Sequence, residues 1–187
     1  MHPVLGPIVG PNLRVLFVGI NPSLRSAEVG HHFARPGNRF WTTLHESGWT
    51  SHLLRPDEDG ELPDHGVGVT NLATRPTRTA AELTEAELRD GAAELERVVQ
   101  AFEPRLVAIV GLTAYRIAFD RPLATVGPQL DAIAGRPVWV LPNPSGLNAH
   151  YKPAQLAELY AEARRFADAL APAARDGVMR SGNSARP

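Results

Sequence analysis

No cysteine occurs anywhere in the 187 residues. That excludes disulfides, thiolate zinc sites and iron–sulfur clusters. Long apolar runs are missing as well, since no stretch approaches the about 20 residues of a membrane span. The start, Met1-His2-Pro3-Val4-Leu5-Gly6-Pro7, has no basic segment ahead of an apolar block, so no signal peptide is expected. A soluble, cytoplasmic protein with no membrane attachment is the default. An excess of either charge is also lacking: 19 Lys and Arg against 20 Asp and Glu leave a formal net charge of −1. Duplex binding usually draws on a basic face, so contact with nucleic acid would have to rely on a small local patch and inserted side chains. The sequence has no internal repeat and neither a G-x-G-x-x-G nor a G-K-[ST] phosphate loop, which counts against an α/β nucleotide-binding protein. His31 and His32 are adjacent but have no third ligand at suitable spacing; neither metal nor cofactor is expected.

What is present is an alternation of apolar runs and amphipathic stretches. Val15 to Ile20, Gly66 to Leu72, Leu106 to Gly111 and Val138 to Leu141 read as strands. Continuous Val, Leu, Ile and Phe are what strands buried on both faces of a parallel sheet require. Phe40 to Leu44, Glu82 to Phe102, Leu112 to Phe119 and Pro153 to Leu170 have helical spacing, with Gly91 as a break or new start in the second. The order gives an α/β fold with a central, mostly parallel sheet in one domain, residues 13–170. Residues 1–12, with three prolines and two glycines, read as a loosely ordered lead-in. Residues 171–187, rich in Pro, Ala, Ser, Gly and Arg, read as a disordered tail. The acidic stretch Asp57 to Gly66 is expected to be a solvated surface loop. Ser23 to Asn38 is a long connection of the kind that tends to be functional.

Two strand ends carry the same chemistry. Gly19-Ile20-Asn21-Pro22-Ser23 follows the first apolar run, and Leu141-Pro142-Asn143-Pro144-Ser145-Gly146-Leu147-Asn148 follows the last. Pro22 fixes its own φ and pushes Asn21 toward extended backbone, so the Asn21 amide has few directions to point. A lone Asn-Pro is ordinarily turn punctuation. In a parallel sheet, however, the loops after the strands share one edge, where ligands of open α/β sheets are met. The loops at 19–23, 71–77, 111–115 and 143–148 are therefore expected to converge on one cleft.

These two motifs, with His31-His32-Phe33-Ala34-Arg35-Pro36-Gly37-Asn38-Arg39-Phe40-Trp41 between them, resemble the mismatch-specific uracil/thymine-DNA glycosylases of the uracil-DNA glycosylase superfamily. The resemblance runs from roughly Leu13 to Phe166. It implies a three-layer α/β/α fold with four to five strands, and a monomeric, bacterial-type repair enzyme acting on double-stranded DNA that holds a mismatched or damaged base. The implied reaction is excision of uracil, or of thymine or etheno-cytosine, opposite guanine to leave an abasic site. By the same resemblance Asn21 positions the attacking water, where the fast uracil glycosylases place an aspartate, so a slower enzyme is implied. Phe33 stacks on the flipped base, N–H groups around Ile20 and Phe33 receive its carbonyl, and Asn143 contributes near base or sugar. Gly146, Leu147 and Asn148 belong to the loop that penetrates the duplex, with Leu147 as the wedge. Ser23 and Asn148 stand where the best-known bacterial members have Gly and Ser.

The residue chemistry agrees with these roles and leaves one open. Cleavage of an N-glycosidic bond has oxocarbenium character at the sugar, so the site must hold the base, stabilise the departing anion and place water. An amide oxygen can orient water but cannot take its proton. Asp90, ahead of the third strand, and Glu28, in the loop after the first, are the candidate proton acceptors. Ser23, Arg35, Arg39, Arg75, Arg78, Ser145 and Lys152 are the candidate phosphate contacts. A protein of another class, a catalytically idle mismatch- or lesion-binding module, would keep the same loops.

Overall fold

The computed structural model describes residues 4–170. The tail expected from Ala171 onward lies outside the described residues. Five strands form one sheet: β1 (Val15–Gly19), β2 (Val67–Asn71), β3 (Leu106–Val110), β4 (Gly127–Ile133) and β5 (Arg136–Leu141), in the order β2-β1-β3-β5-β4. All pairs are parallel except β4 with β5. The helices are α1 (Leu24–Val29), α2 (Phe40–Glu46), α3 (Glu85–Phe102), α4 (Leu112–Ala118) and α5 (Pro153–Ala169), with a long 3₁₀ segment at Pro56–His65.

β1, β2, β3 and the second half of β5 are buried because both faces of this part of the sheet are covered. Along β1, Val15 and Phe17 join one core with Phe40, Trp49 and Tyr160, from α2, the loop after it and α5. Leu16 and Val18 join the other core, with Leu88, Leu95 and Val99 of α3 and Tyr115 of α4. Successive side chains of a strand point to opposite faces, so one run feeds both cores and the three-layer arrangement follows. After β2 the chain crosses back over β1 to place β3 on its other side. The carboxyl ends of β1 and β3 therefore flank a topological switch point, where such sheets form a crevice.

Several local expectations are corrected. The connection after β1 is not structureless: Ser23 caps α1 by accepting from the Ser26 N–H, as N-cap serines do. Gly91 is no break, because α3 runs through it from a capping box at Thr84 and Glu87. Its need for glycine is one of approach, since a Cβ there would lie 2.0 Å from the Leu72 carbonyl oxygen. The acidic stretch 57–66 is largely the 3₁₀ segment, with Leu62 fully buried and Asp59 turned inward. β4 has no apolar run to betray it. It is an antiparallel edge strand with Leu130 fully exposed, and Pro128 is tolerable there because an edge need not donate on both sides. In the lead-in, Ile8 pairs with Val69 in an antiparallel bridge.

Candidate functional site

A cleft of about 310 Å³ opens at the carboxyl edge of the sheet. Gly19 to Ser23, Asn71, Thr77 to Ala80, Val110 and the 143–148 loop all contribute to its walls. Three of the four expected loops thus converge. The fourth, 111–115, contributes no lining residue: Val110 at the end of β3 reaches the cleft, while Gly111 is packed under the Ile20 side chain. Asn21, Phe33 and Leu147, which belong to separate parts of the chain, share one cavity.

The Asn21 amide is held in a single sense. Its Nδ2 donates to the Arg75 carbonyl at 2.8 Å and to the Thr77 hydroxyl at 2.7 Å. A carbonyl can only accept, and the Thr77 proton is already given to the Thr79 carbonyl. The amide therefore cannot turn over without facing two acceptors, and its oxygen is the atom left uncommitted. Such a group orients water and offers no basic site.

Phe33 sits at positive φ, 52°, a conformation that is costly outside glycine and is typical of sites where surrounding structure enforces it. Its ring stacks on Phe40 at 3.8 Å and 18°, so a buried aromatic backs it while it still lines the cleft. The enforcing contacts come from behind: Asp59 accepts from the His32 N–H at 3.2 Å and lies 3.2 Å from His31 Nδ1. Burial lowers the affinity of His32 for a proton, opposed by the Gly6 carbonyl and by Asp59. His32 Nε2 lies 2.9 Å from that carbonyl and so carries the hydrogen, leaving Nδ1 to accept from Asn71 Nδ2 at 3.4 Å.

Asn71 lies outside both Asn-Pro-Ser turns and is nevertheless part of the site. It ends β2 and lines the cleft, and a Cβ on Gly19 would lie 2.4 Å from its Oδ1 and 3.3 Å from the Phe33 ring. The signal was available: a polar residue at the carboxyl end of a buried strand, as at Asn21.

The 143–148 loop is braced within itself and from outside. Asn143 Oδ1 accepts from the Ser145 N–H at 2.9 Å, and Asn148 Nδ2 donates to the Asn143 carbonyl at 3.0 Å. Arg39 then donates to the carbonyls of Tyr151, Ser145 and Asn148 at 2.7, 3.2 and 2.8 Å. Tyr160, fully buried, donates to the Pro142 carbonyl where the loop begins. Leu147 projects from this frame, 63% exposed. Glycine at 146 is needed for a contact inside the protein, since a Cβ would lie 2.5 Å from the Gly37 carbonyl oxygen.

The other candidates divide. Ser23, Arg35 and Ser145 line the cleft, as does Arg78, while Ile20 and Asn143 form part of its wall. Arg39 is engaged with loop carbonyls. Arg75 faces Glu87 at 2.6 Å and the Glu82 carbonyl at 2.8 Å; Arg75 and Thr84 together hold the Glu87 carboxyl down at about 2. Lys152 is exposed at the start of α5 and lies outside the lining. Neither candidate proton acceptor is brought in: Asp90 is exposed on α3, and Glu28 is exposed and paired with Arg25 at 2.9 Å. Among the described residues the lining contains no carboxylate and no lysine.

Residues 7–164 match the uracil DNA glycosylase superfamily. Among solved structures, the chain is similar to the solution NMR structure of a protein from Methanosarcina acetivorans provisionally named a uracil DNA glycosylase. That likeness has 19% identity and a TM-score of 0.61, and covers 88% of this chain and 97% of the other. At that identity it speaks for the fold.

Proposed function

The chain belongs to the uracil DNA glycosylase superfamily, and on that premise we propose that it excises uracil, with thymine and etheno-cytosine as further candidates, from mismatches with guanine in double-stranded DNA. The observation that carries this reading is the shared cleft of Asn21, Phe33 and Leu147. The flipped base stacks on Phe33 and presents its polar edge to Asn71 and to the N–H groups of Ile20 and Phe33. Leu147 fills the space that the base has left, while Arg35, Arg78, Ser23 and Ser145 contact phosphate.

In this mechanism the bond between the sugar carbon and the base nitrogen breaks first, and its electron pair leaves with the base as an anion. Backbone donors stabilise that anion. Water held by the Asn21 oxygen adds to the oxocarbenium carbon. With no carboxylate among the described residues of the lining, its proton passes to solvent, and the product is an abasic site. The lack of a lysine favours simple hydrolysis over an imine intermediate.

The missing carboxylate also favours a second reading, a mismatch-binding module with little chemistry. Incubation with a G·U duplex followed by alkali separates the two. Strand breaks that disappear in Asn21→Ala support the enzyme. Duplex binding without breaks supports the module, and a borohydride-trapped adduct would exclude simple hydrolysis.

A further inference from the structure

The 3₁₀ segment carries, near its C-terminal end, a group of side chains that the cleft does not use. Glu61 and His65 lie four residues apart on Pro56–His65, and the preceding loop brings His52 against them. His52 Nε2 is 3.5 Å from Glu61 Oε2, the His52 and His65 rings are 5.4 Å apart at 62°, and all three residues offer ligand atoms within 4.8 Å of one another. Ser51 Oγ lies 3.2 Å from His52 Nδ1, which leaves Nε2 as the nitrogen turned to the group.

We propose that His52, Glu61 and His65 form a binding site for a divalent transition-metal ion, with Zn²⁺ the best fit. Ligands at about 2.0–2.2 Å from a tetrahedral zinc stand about 3.3–3.5 Å apart, so the His52–Glu61 pair already has the required separation. His65 reaches the same point by side-chain rotation at the surface. Two imidazoles with one carboxylate suit zinc and its neighbours, whereas Mg²⁺ and Ca²⁺ demand mainly oxygen. A plain His52–Glu61 ion pair would leave the His65 ring without a task. Ser51 acts as the outer partner that metal-bound histidines commonly have, fixing which nitrogen faces the ion. Water completes the fourth position.

The consequence is mechanical. The ion would tie the 50–55 loop to the segment whose Asp59 holds His31 and His32, next to the strained Phe33. Metal binding should therefore stabilise the wall behind the cleft, by mass action on the folded state. This proposal is independent of the glycosylase reading, because its readout is binding and stability.

The test is calorimetric titration of the tag-free full chain with Zn²⁺, alongside thermal melting. One ion per chain, a raised Tm with Zn²⁺ and none with Mg²⁺ are expected. His65→Ala and His52→Ala should each abolish the shift, and Ser51→Ala should weaken binding about tenfold. Absence of saturable binding, or a His52→Ala/His65→Ala double variant that binds as well as the parent, overturns the proposal. Should the double variant fail to fold, the parent's Co²⁺ spectrum decides: intense four-coordinate bands support the site, and a weak six-coordinate spectrum overturns it.

Discussion

Asn21-Pro22-Ser23 and Asn143-Pro144-Ser145 are the same tripeptide at the ends of two parallel strands, both line the cleft, and yet their amides are engaged in opposite senses. At Asn21 the amide nitrogen is engaged by Arg75 and Thr77, so the oxygen is left free of protein partners. At Asn143 the amide oxygen is engaged by the Ser145 N–H, which leaves the NH₂ group uncommitted. The serines diverge likewise: Ser23 caps a helix, while Ser145 accepts from the Leu147 N–H at 3.3 Å and shapes the projecting loop. An identical local sequence thus leaves a free amide oxygen at one end and a free amide NH₂ at the other. The difference comes from neighbours far away in the chain, since the first turn leans on the loop after β2 and the second on Arg39.

This contrast can be broken most severely at its first member. Asn21→Ala is expected to lower the single-turnover rate on a G·U duplex by about 10²–10³-fold, the scale seen when one preorganised polar group is removed, with duplex binding retained. Disturbing the second member should separate chemistry from flipping. Arg39→Ala removes three hydrogen bonds from a charged donor and should cost about 2–3 kcal/mol of stability in denaturant titrations. Its duplex activity should fall well below its activity on single-stranded uracil DNA, where no stack has to be opened. Equal losses on both substrates would show that Arg39 merely supports the fold. Leu147→Ala sharpens the same division with less damage: about tenfold slower on duplex, or about 1.4 kcal/mol, and unchanged on single strands.

The smallest expected effect is a pH dependence from the wall behind the first turn. The folded state holds His32 at a lowered pKa, so the unfolded chain binds the proton more readily. The stabilisation from neutral, buried His32 is complete above the unfolded value of 6.5 and declines as pH falls through it toward the folded value. Melting temperatures across that window should drop on acidification, and His32→Gln should flatten the slope. A slope unchanged in the variant would assign the effect to other groups.

Legibility followed burial. The runs at 15–19, 67–70, 106–110 and 138–141 are buried between the two helical layers, so their apolar character announced them. β4, exposed along most of its length, carried no such mark. The segment 56–65 looked like a solvated acidic loop because its inward residues, Asp59 and Leu62, are only two among many polar neighbours. Arginines were the least legible, since sequence gives the charge and not the partner. Arg39 turned to loop carbonyls and Arg75 to Glu87, while Arg35 and Arg78 stayed at the cleft. Gly91, which reads as a break, misled in a similar way: it is required by backbone approach within the protein, to Leu72, as Gly146 is by approach to Gly37.

By itself the sequence determined which segments must be buried and which two turns end buried strands, because apolar periodicity and Asn-Pro geometry are local properties of the chain. Only the tertiary structure decided which half of each asparagine amide is engaged, that no carboxylate among the described residues lines the cleft, and that His52 meets Glu61 and His65. Those outcomes depend on hydrogen-bond partners supplied by distant segments, and a side chain's chemical role is fixed by what it touches.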